Sequence, residues 1–236
     1  MHMGKEELAA IAAGRAAATA ATGDDELLHA CMLGTYAWVL LHQGRLDEAE
    51  RLGAGTASAI EPAFSAPPSH IAAWASLLMT ALAPAAAAGN DVSEYVTLAS
   101  SGADRIGRRI RVYNTTFALA SVAVQAVHAY AVLREPGKAL DAARRVDLGQ
   151  LPGTIYQGRH LLDVAQTQVD ARRGPAATAT LARARVMAPV WFRHQGVARS
   201  LVLELCEQQH RLTPQLRELA TATGADGYAP YHRHES

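Results

Sequence analysis

The chain has 236 residues, half of them apolar but only 6% aromatic, and its 22 basic and 22 acidic side chains cancel. That length can bury a real core, and the charge balance excludes a general electrostatic grip on nucleic acid or anionic lipid. The two cysteines, Cys31 and Cys206, lie far apart in helical segments and read as small buried hydrophobes in a reducing cytoplasm rather than as a disulfide framework.

Alanine-rich runs such as "AAATAAT" and "APAAAA" favour helix. No long stretch alternates β-branched and polar residues as a strand requires, so the expectation is an all-α protein. At the start, Met1-His2-Met3 reads as a cloning scar, and "MHMGKEEL" has no apolar core after a basic start, so it is not a secretory signal. Punctuation by Gly, Pro, Asn and Asp then predicts eleven helices, at 5–22, 25–43, 46–60, 69–88, 91–107, 114–133, 137–147, 154–172, 176–187, 193–210 and 213–223. Between the third and fourth, "EPAFSAPPS" carries three prolines and spans a turn between helix pairs. Residues 63–88 carry no charge and approach membrane-spanning length, but Pro67, Pro68 and Pro84 interrupt them and much of the stretch is weakly apolar alanine. A buried helix is expected there, with no membrane partner. "RIGRRIR" at 105–111 is the one dense basic run. It reads as a solvated helix end favoured by the negative C-terminal dipole, with an acidic partner or DNA phosphate as the alternative. The last stretch, "DGYAPYHRHES", lacks periodicity and reads as a tail, so one helical domain is expected over 5–224, followed by a tail over 225–236.

A repeat runs through these helices. From Leu161, a step of four reaches Ala165, twelve Ala177, four Leu181, three Ala184 and five Pro189. The same steps from Ala123 reach Val127, Ala139, Ala143, Val146 and Leu151, beside Pro152. From Leu33 they reach Ala37, Ala49, Gly53, Thr56 and Glu61, beside Pro62. Steps of three and four stay on one helix face. The step of twelve crosses the turn, where small residues let paired helices approach, and the proline closes the second helix. The second pair fits worst, since its frame of Met79, Ala83, Tyr95 and Ala99 puts a bulky tyrosine at a small-residue position. The anchors Ala49, Tyr95, Ala139 and Ala177 lie 46, 44 and 38 apart, longer than the tetratricopeptide period of about 34 residues. The spacing still resembles that repeat and implies an α-solenoid of stacked antiparallel helix pairs.

No catalytic signature is present: no His-Glu-x-x-His, no Gly-x-Ser-x-Gly and no phosphate loop. "GAGTAS" at 53–58 lacks a third glycine and a preceding strand, so its glycines read as permitting close helix packing. His160 and Asp163 share a helix face and read as a hydrogen-bonded pair at a helix contact, although a metal or proton site is conceivable for them. His232 and His234 fall in the tail. No cofactor and no metal are expected. Trp38, Trp74 and Trp191 read first as core. Projecting the repeat frame onto a concave surface nevertheless places Trp38, His128, Arg159 and Gln166 on or near it. Asn114 opens the third pair, as a helix cap or as a group that both donates to and accepts from a ligand amide.

The words "TGDDELLHACMLGTYAWVLLHQGRLDEAERL", "RVYNTTFALASVAVQAVHAYAVLREPGKALDAARRVDLGQLP", "TIYQGRHLLDVAQTQVDARRGPAATATLARARVMAP" and "WFRHQGVARSLVLELCEQQHRLTPQLRELATATGA" follow in that order. The order resembles the C-terminal, tetratricopeptide-like sensor region of actinobacterial Xre (Cro/CI-type helix-turn-helix) transcriptional regulators, over residues 5–224. "YNTTFALASVAVQAVHA", with Asn114 and His128, "GRHLLDVAQTQ", with Arg159 and Asp163, and "LRELA" carry it best. The resemblance implies a cytoplasmic regulatory domain that binds a peptide or small-molecule effector in its groove, and a homodimer formed through the C-terminal helices. No helix-turn-helix precedes Lys5, so DNA contact belongs to a missing domain or the chain is a stand-alone relative. A protein–protein scaffold holding a partner segment is the alternative function, and an enzyme using His160 and Asp163 has little support.

Overall fold

The computed structural model describes residues 6–209 and 211–225. Met1-His2-Met3, His232 and His234 lie outside them. The fold is all-α apart from one small hairpin, with twelve α-helices among the described residues. They form two compact units, divided after Leu133. The division falls inside the third helix pair of the repeat frame, so that pair's two helices belong to different units.

The first unit contains α1 (Glu6–Ala20), α2 (Glu26–His42), α3 (Leu46–Ala59), α4 (Pro68–Ala88), α5 (Ser93–Ile106), β1 (Ile110–Val112), β2 (Thr115–Phe117) and α6 (Leu119–Val132). Local signals start and stop these helices. Asp25 caps α2 by accepting from the Leu28 N–H at 2.9 Å. Gly89 ends α4 at φ 81° and Gly107 ends α5 at φ 65°, the left-handed conformation that glycine adopts without a Cβ penalty. Each helix packs on its successor, and α2 with α4 and α4 with α6 also touch. That pattern is consistent with stacked antiparallel pairs.

Helix α4 is the centre of this unit, in contact with α2, α3, α5, α6 and both strands. Among the described residues it is the one helix long and apolar enough to cross a membrane. Here that apolar surface forms the core: Ala72, Ala73, Ala75, Ala81, Leu82 and Ala85 are fully buried. Its prolines do not interrupt it as expected. Pro68 sits in the first turn, where its missing N–H costs nothing, and Pro84 lies inside the helix.

The second unit contains α7 (Pro136–Ala143), a 3₁₀ turn (Leu148–Gln150), α8 (Gly153–Asp170), α9 (Gly174–Met187), α10 (Pro189–Arg193), α11 (Gly196–Glu207) and α12 (Pro214–Thr223). Helix α8 packs on α7, α9 and α11, and α9 packs on α12. Leu181, Phe192, Leu205, Leu216 and Leu219 are fully buried at the centre.

Most small anchors of the repeat frame behave as the spacing predicts: Ala37, Ala49, Ala99, Ala139, Ala165 and Ala177 are all fully buried, whereas Ala83 and Ala143 are half-buried. Tyr95, the misfit, is half-buried, and its hydroxyl donates to Glu50 Oε1 on α3 at 3.1 Å. Asn90 Nδ2 donates to the other oxygen of the same carboxylate at 2.9 Å. The oversized residue thus ties α5 to α3.

Four boundaries differ most from expectation. The helix placed at 114–133 begins at Leu119, because residues 110–117 form the hairpin. Helix α7 ends at Ala143, leaving Val146 outside it. Pro189 opens α10 instead of simply closing α9, since proline fits the first helical turn. The predicted helix over 193–210 accordingly begins at Gly196 as α11. The basic run crosses the end of α5, a loop and β1. Arg105 Nη2 donates to the carbonyls of Ala63 at 3.1 Å and Phe64 at 2.9 Å, which ties down the proline-rich α3–α4 linker.

Candidate functional site

Within the first unit, α2, α4 and the hairpin enclose an open cavity of about 350 Å³. Helix α2 contributes Cys31, Gly34, Thr35 and Trp38, while α4 contributes Ala73, Ser76, Leu77 and Thr80. Each set recurs at steps of three and four, so each is one helix face. The hairpin adds Asn114 and Thr115. The volume is at the small end of ligand sites, which span about 300–1,000 Å³.

The hairpin forms because Ile110, Val112, Thr115, Thr116 and Phe117 are β-formers around a two-residue loop. Val112 and Phe117 turn into the core while Arg111 and Thr116 face outward. The loop is Tyr113-Asn114, and Tyr113 takes φ 50°, an uncommon conformation for a residue with a side chain. Two contacts hold this loop on α2. The Tyr113 hydroxyl donates to Asp25 Oδ2, the free oxygen of the α2 cap. Asn114 Nδ2 donates to Thr35 Oγ1 at 3.0 Å.

The electrostatics follow from these contacts. The Tyr113 hydroxyl and then the Leu28 N–H hold the Asp25 carboxyl below its ordinary range. The same contact pushes the Tyr113 phenol up to about 12. Burial first, and then the Asp25 carboxylate, push the Cys31 thiol up to about 11, so it stays a neutral wall group at physiological pH.

Four hydroxyls line the cavity, and three of them commit their hydrogens to their own helices. Thr35 donates to the Cys31 carbonyl at 3.0 Å, Ser76 to Ala72 at 2.7 Å and Thr80 to Ser76 at 2.9 Å. What these three offer inward is lone pairs. Trp38 supplies the aromatic surface. It is 44% exposed, and its ring leans on His42 with centroids 4.2 Å apart.

Of the four residues projected onto the concave surface, and Asn114 with them, only two line the cavity. Trp38 and Asn114 meet at the cavity. Asn114 caps no helix and instead occupies the hairpin loop. His128 is half-buried on α6 and is not among the residues that line the cavity. Arg159 and Gln166 sit on α8 in the second unit, Arg159 exposed and Gln166 half-buried. Gln166 Nε2 donates to Asp170 Oδ1 at 3.1 Å, the oxygen that also pairs with Arg134. Sequence reasoning missed Thr35, Ser76, Thr80 and Cys31. Their signal was small polar residues spaced three and four apart inside otherwise apolar helices.

His160 is buried with Nδ1 lacking a hydrogen-bond partner, and burial pushes its imidazole below the ordinary range, while Asp163 opposes that shift. Among the described residues no three His, Cys, Asp or Glu side chains gather as metal ligands. Of the "GAGTAS" glycines, Gly53 does permit close packing, because a Cβ there would stand 3.0 Å from the Ala81 backbone nitrogen, whereas Gly55 has nothing within 4 Å. Compared with protein-family models, curated proteins and solved structures, the chain matches none.

Proposed function

We propose that this chain is a ligand-sensing regulatory region, with the cavity between α2, α4 and the hairpin as its effector site. The observation that carries the reading is the convergence of Trp38, an exposed aromatic, with Asn114, an amide held by a single hydroxyl, on one cavity. The cavity volume favours a metabolite-sized effector, or one peptide side chain, over a peptide of several residues. Its lining has one titratable side chain, the Cys31 thiol, and burial keeps that neutral. That composition suits binding better than acid–base chemistry.

The regulatory part of the reading rests on the ordered resemblance to Xre-type sensor regions. The signal would pass through the hairpin. An effector that bonds to Asn114 bears on the loop between β1 and β2, and β2 leads directly into α6. In a regulator of this type DNA contact falls to a helix-turn-helix domain, and the sensor region acts on it in a cytoplasmic homodimer.

The test is a thermal-shift and fluorescence screen against small metabolites and short peptides. An effector at this site raises the melting temperature and changes Trp38 emission, and Trp38→Phe abolishes the optical response while Asn114→Ala alters the affinity. A hit that stabilises the chain identically in wild type and in both variants places the effector elsewhere and rejects this site.

A further inference from the structure

We propose that the cavity selects a small, uncharged ligand with a flat apolar part and hydrogen-bond donors, of the primary-amide class, and that it excludes carboxylates. This rests on the effector-site reading above and adds the chemistry of the occupant.

The donors and acceptors on the wall set the ligand's chemistry. Thr35, Ser76 and Thr80 give their hydrogens to carbonyls four residues back. Asn114 gives one amide hydrogen to Thr35, which leaves its other hydrogen to donate and its Oδ1 to accept. The wall therefore offers the Thr35, Ser76 and Thr80 oxygens and Asn114 Oδ1 as acceptors, beside the Asn114 N–H, the Thr115 hydroxyl and the Trp38 indole N–H as donors. A ligand that both donates and accepts, as a primary amide does, satisfies both sets, whereas a carboxylate has no hydrogen to give the acceptors. It would also leave its own charge desolvated, with no cationic side chain on the wall. The Asp25 carboxylate acts on the Cys31 thiol in the cavity wall, and its sign disfavours an anion there. A cation gains little from that carboxylate, whose oxygens already accept from Leu28 and Tyr113, and it must shed its hydration to enter. The apolar remainder of the ligand meets Trp38, Leu77, Ala73 and the bare backbone of Gly34. A flat ring fits between such surfaces.

Benzamide, benzoate and benzamidine share one shape and differ in charge and in donors, so they isolate the claim. Each is titrated into the full chain while the Trp38 indole N–H resonance is followed, with that signal assigned by Trp38→Phe. Benzamide is expected to saturate the Trp38 shift at millimolar concentration, with benzoate and benzamidine at least about tenfold weaker. Ser76→Ala and Thr80→Val, each removing one acceptor, should weaken benzamide about three- to tenfold, and Ser76→Thr should restore it. If benzoate or benzamidine binds as tightly as benzamide, the ligand class is wrong while the site survives. If none of the three moves Trp38, and none raises the melting temperature, both the class and the site are rejected.

Discussion

Replacing Gly53 and Gly55 separately by alanine tests whether α3 and α4 approach as closely as the fold requires. Both glycines lie in α3, two residues apart, so the gain in helix propensity is common to both, about 1 kcal/mol. Their surroundings differ. A Cβ at Gly53 would stand 3.0 Å from the Ala81 nitrogen and 3.2 Å from both its Cα and its Cβ, all belonging to a buried residue that cannot rotate away. A Cβ at Gly55 meets nothing within 4 Å. Forcing a methyl into packed backbone costs about 1–3 kcal/mol. Gly55→Ala should therefore stabilise by up to about 1 kcal/mol, and Gly53→Ala should fall below it by about 1–3 kcal/mol. Equilibrium urea unfolding followed by helical circular dichroism measures both. Equal stabilisation by the two substitutions would show that α3 and α4 stand apart at this point, and the close-packed pair would have to be abandoned.

Asp25→Asn keeps the α2 cap, since asparagine caps as well as aspartate, but removes the charge that Tyr113 meets. Because the Asp25 carboxyl is held below its ordinary value of 3.8, the Tyr113 contact persists at higher pH and is lost as pH falls through that lowered range. A Tyr113 ring-resonance titration should show this step in wild type and not in the variant, and an identical step in both would refute the assignment. His160 has the opposite charge logic with the same outcome. Its folded imidazole is held below 6.5, so the unfolded chain takes up the proton first and the second unit loses stability as pH drops below that value. His160→Leu should flatten the dependence of unfolding on pH below 6.5, and an unchanged slope would show that His160 is not its source. Arg134 adopts φ 56° and pairs with Asp170, whose side chain is only 12% exposed. Arg134→Ala should cost about 1 kcal/mol, discounted for the exposed guanidinium. Arg134→Gly should cost less, because glycine accepts that backbone without the penalty of roughly 1 kcal/mol. Thermal melts that rank glycine below alanine would contradict this.

Several features were legible in the chain alone because they are local. Alanine content and periods of three and four determine helix. Glycine, proline and aspartate mark its ends, and a small residue every helical turn marks the face that must be buried. That is why Ala49, Ala139 and Ala177 are identifiable as contact anchors from the sequence, and why α4 reads as a buried helix despite its membrane-like composition. The site was only half legible. Trp38 and Asn114 are 76 residues apart, and nothing local says that a hairpin will bring the second to the helix carrying the first. The strands are three residues each, too short for alternation to register against the surrounding helical signal. Tertiary packing against α4 makes them pair, because it buries Val112 and Phe117. Arg159 and Gln166 belong to the other unit from Trp38, and a repeat frame, which assigns a residue to a helix face, cannot say which faces end in one compact unit. The direction of each hydroxyl hydrogen, which decides whether the cavity wall donates or accepts, is likewise a property of the folded helices and not of the residue types.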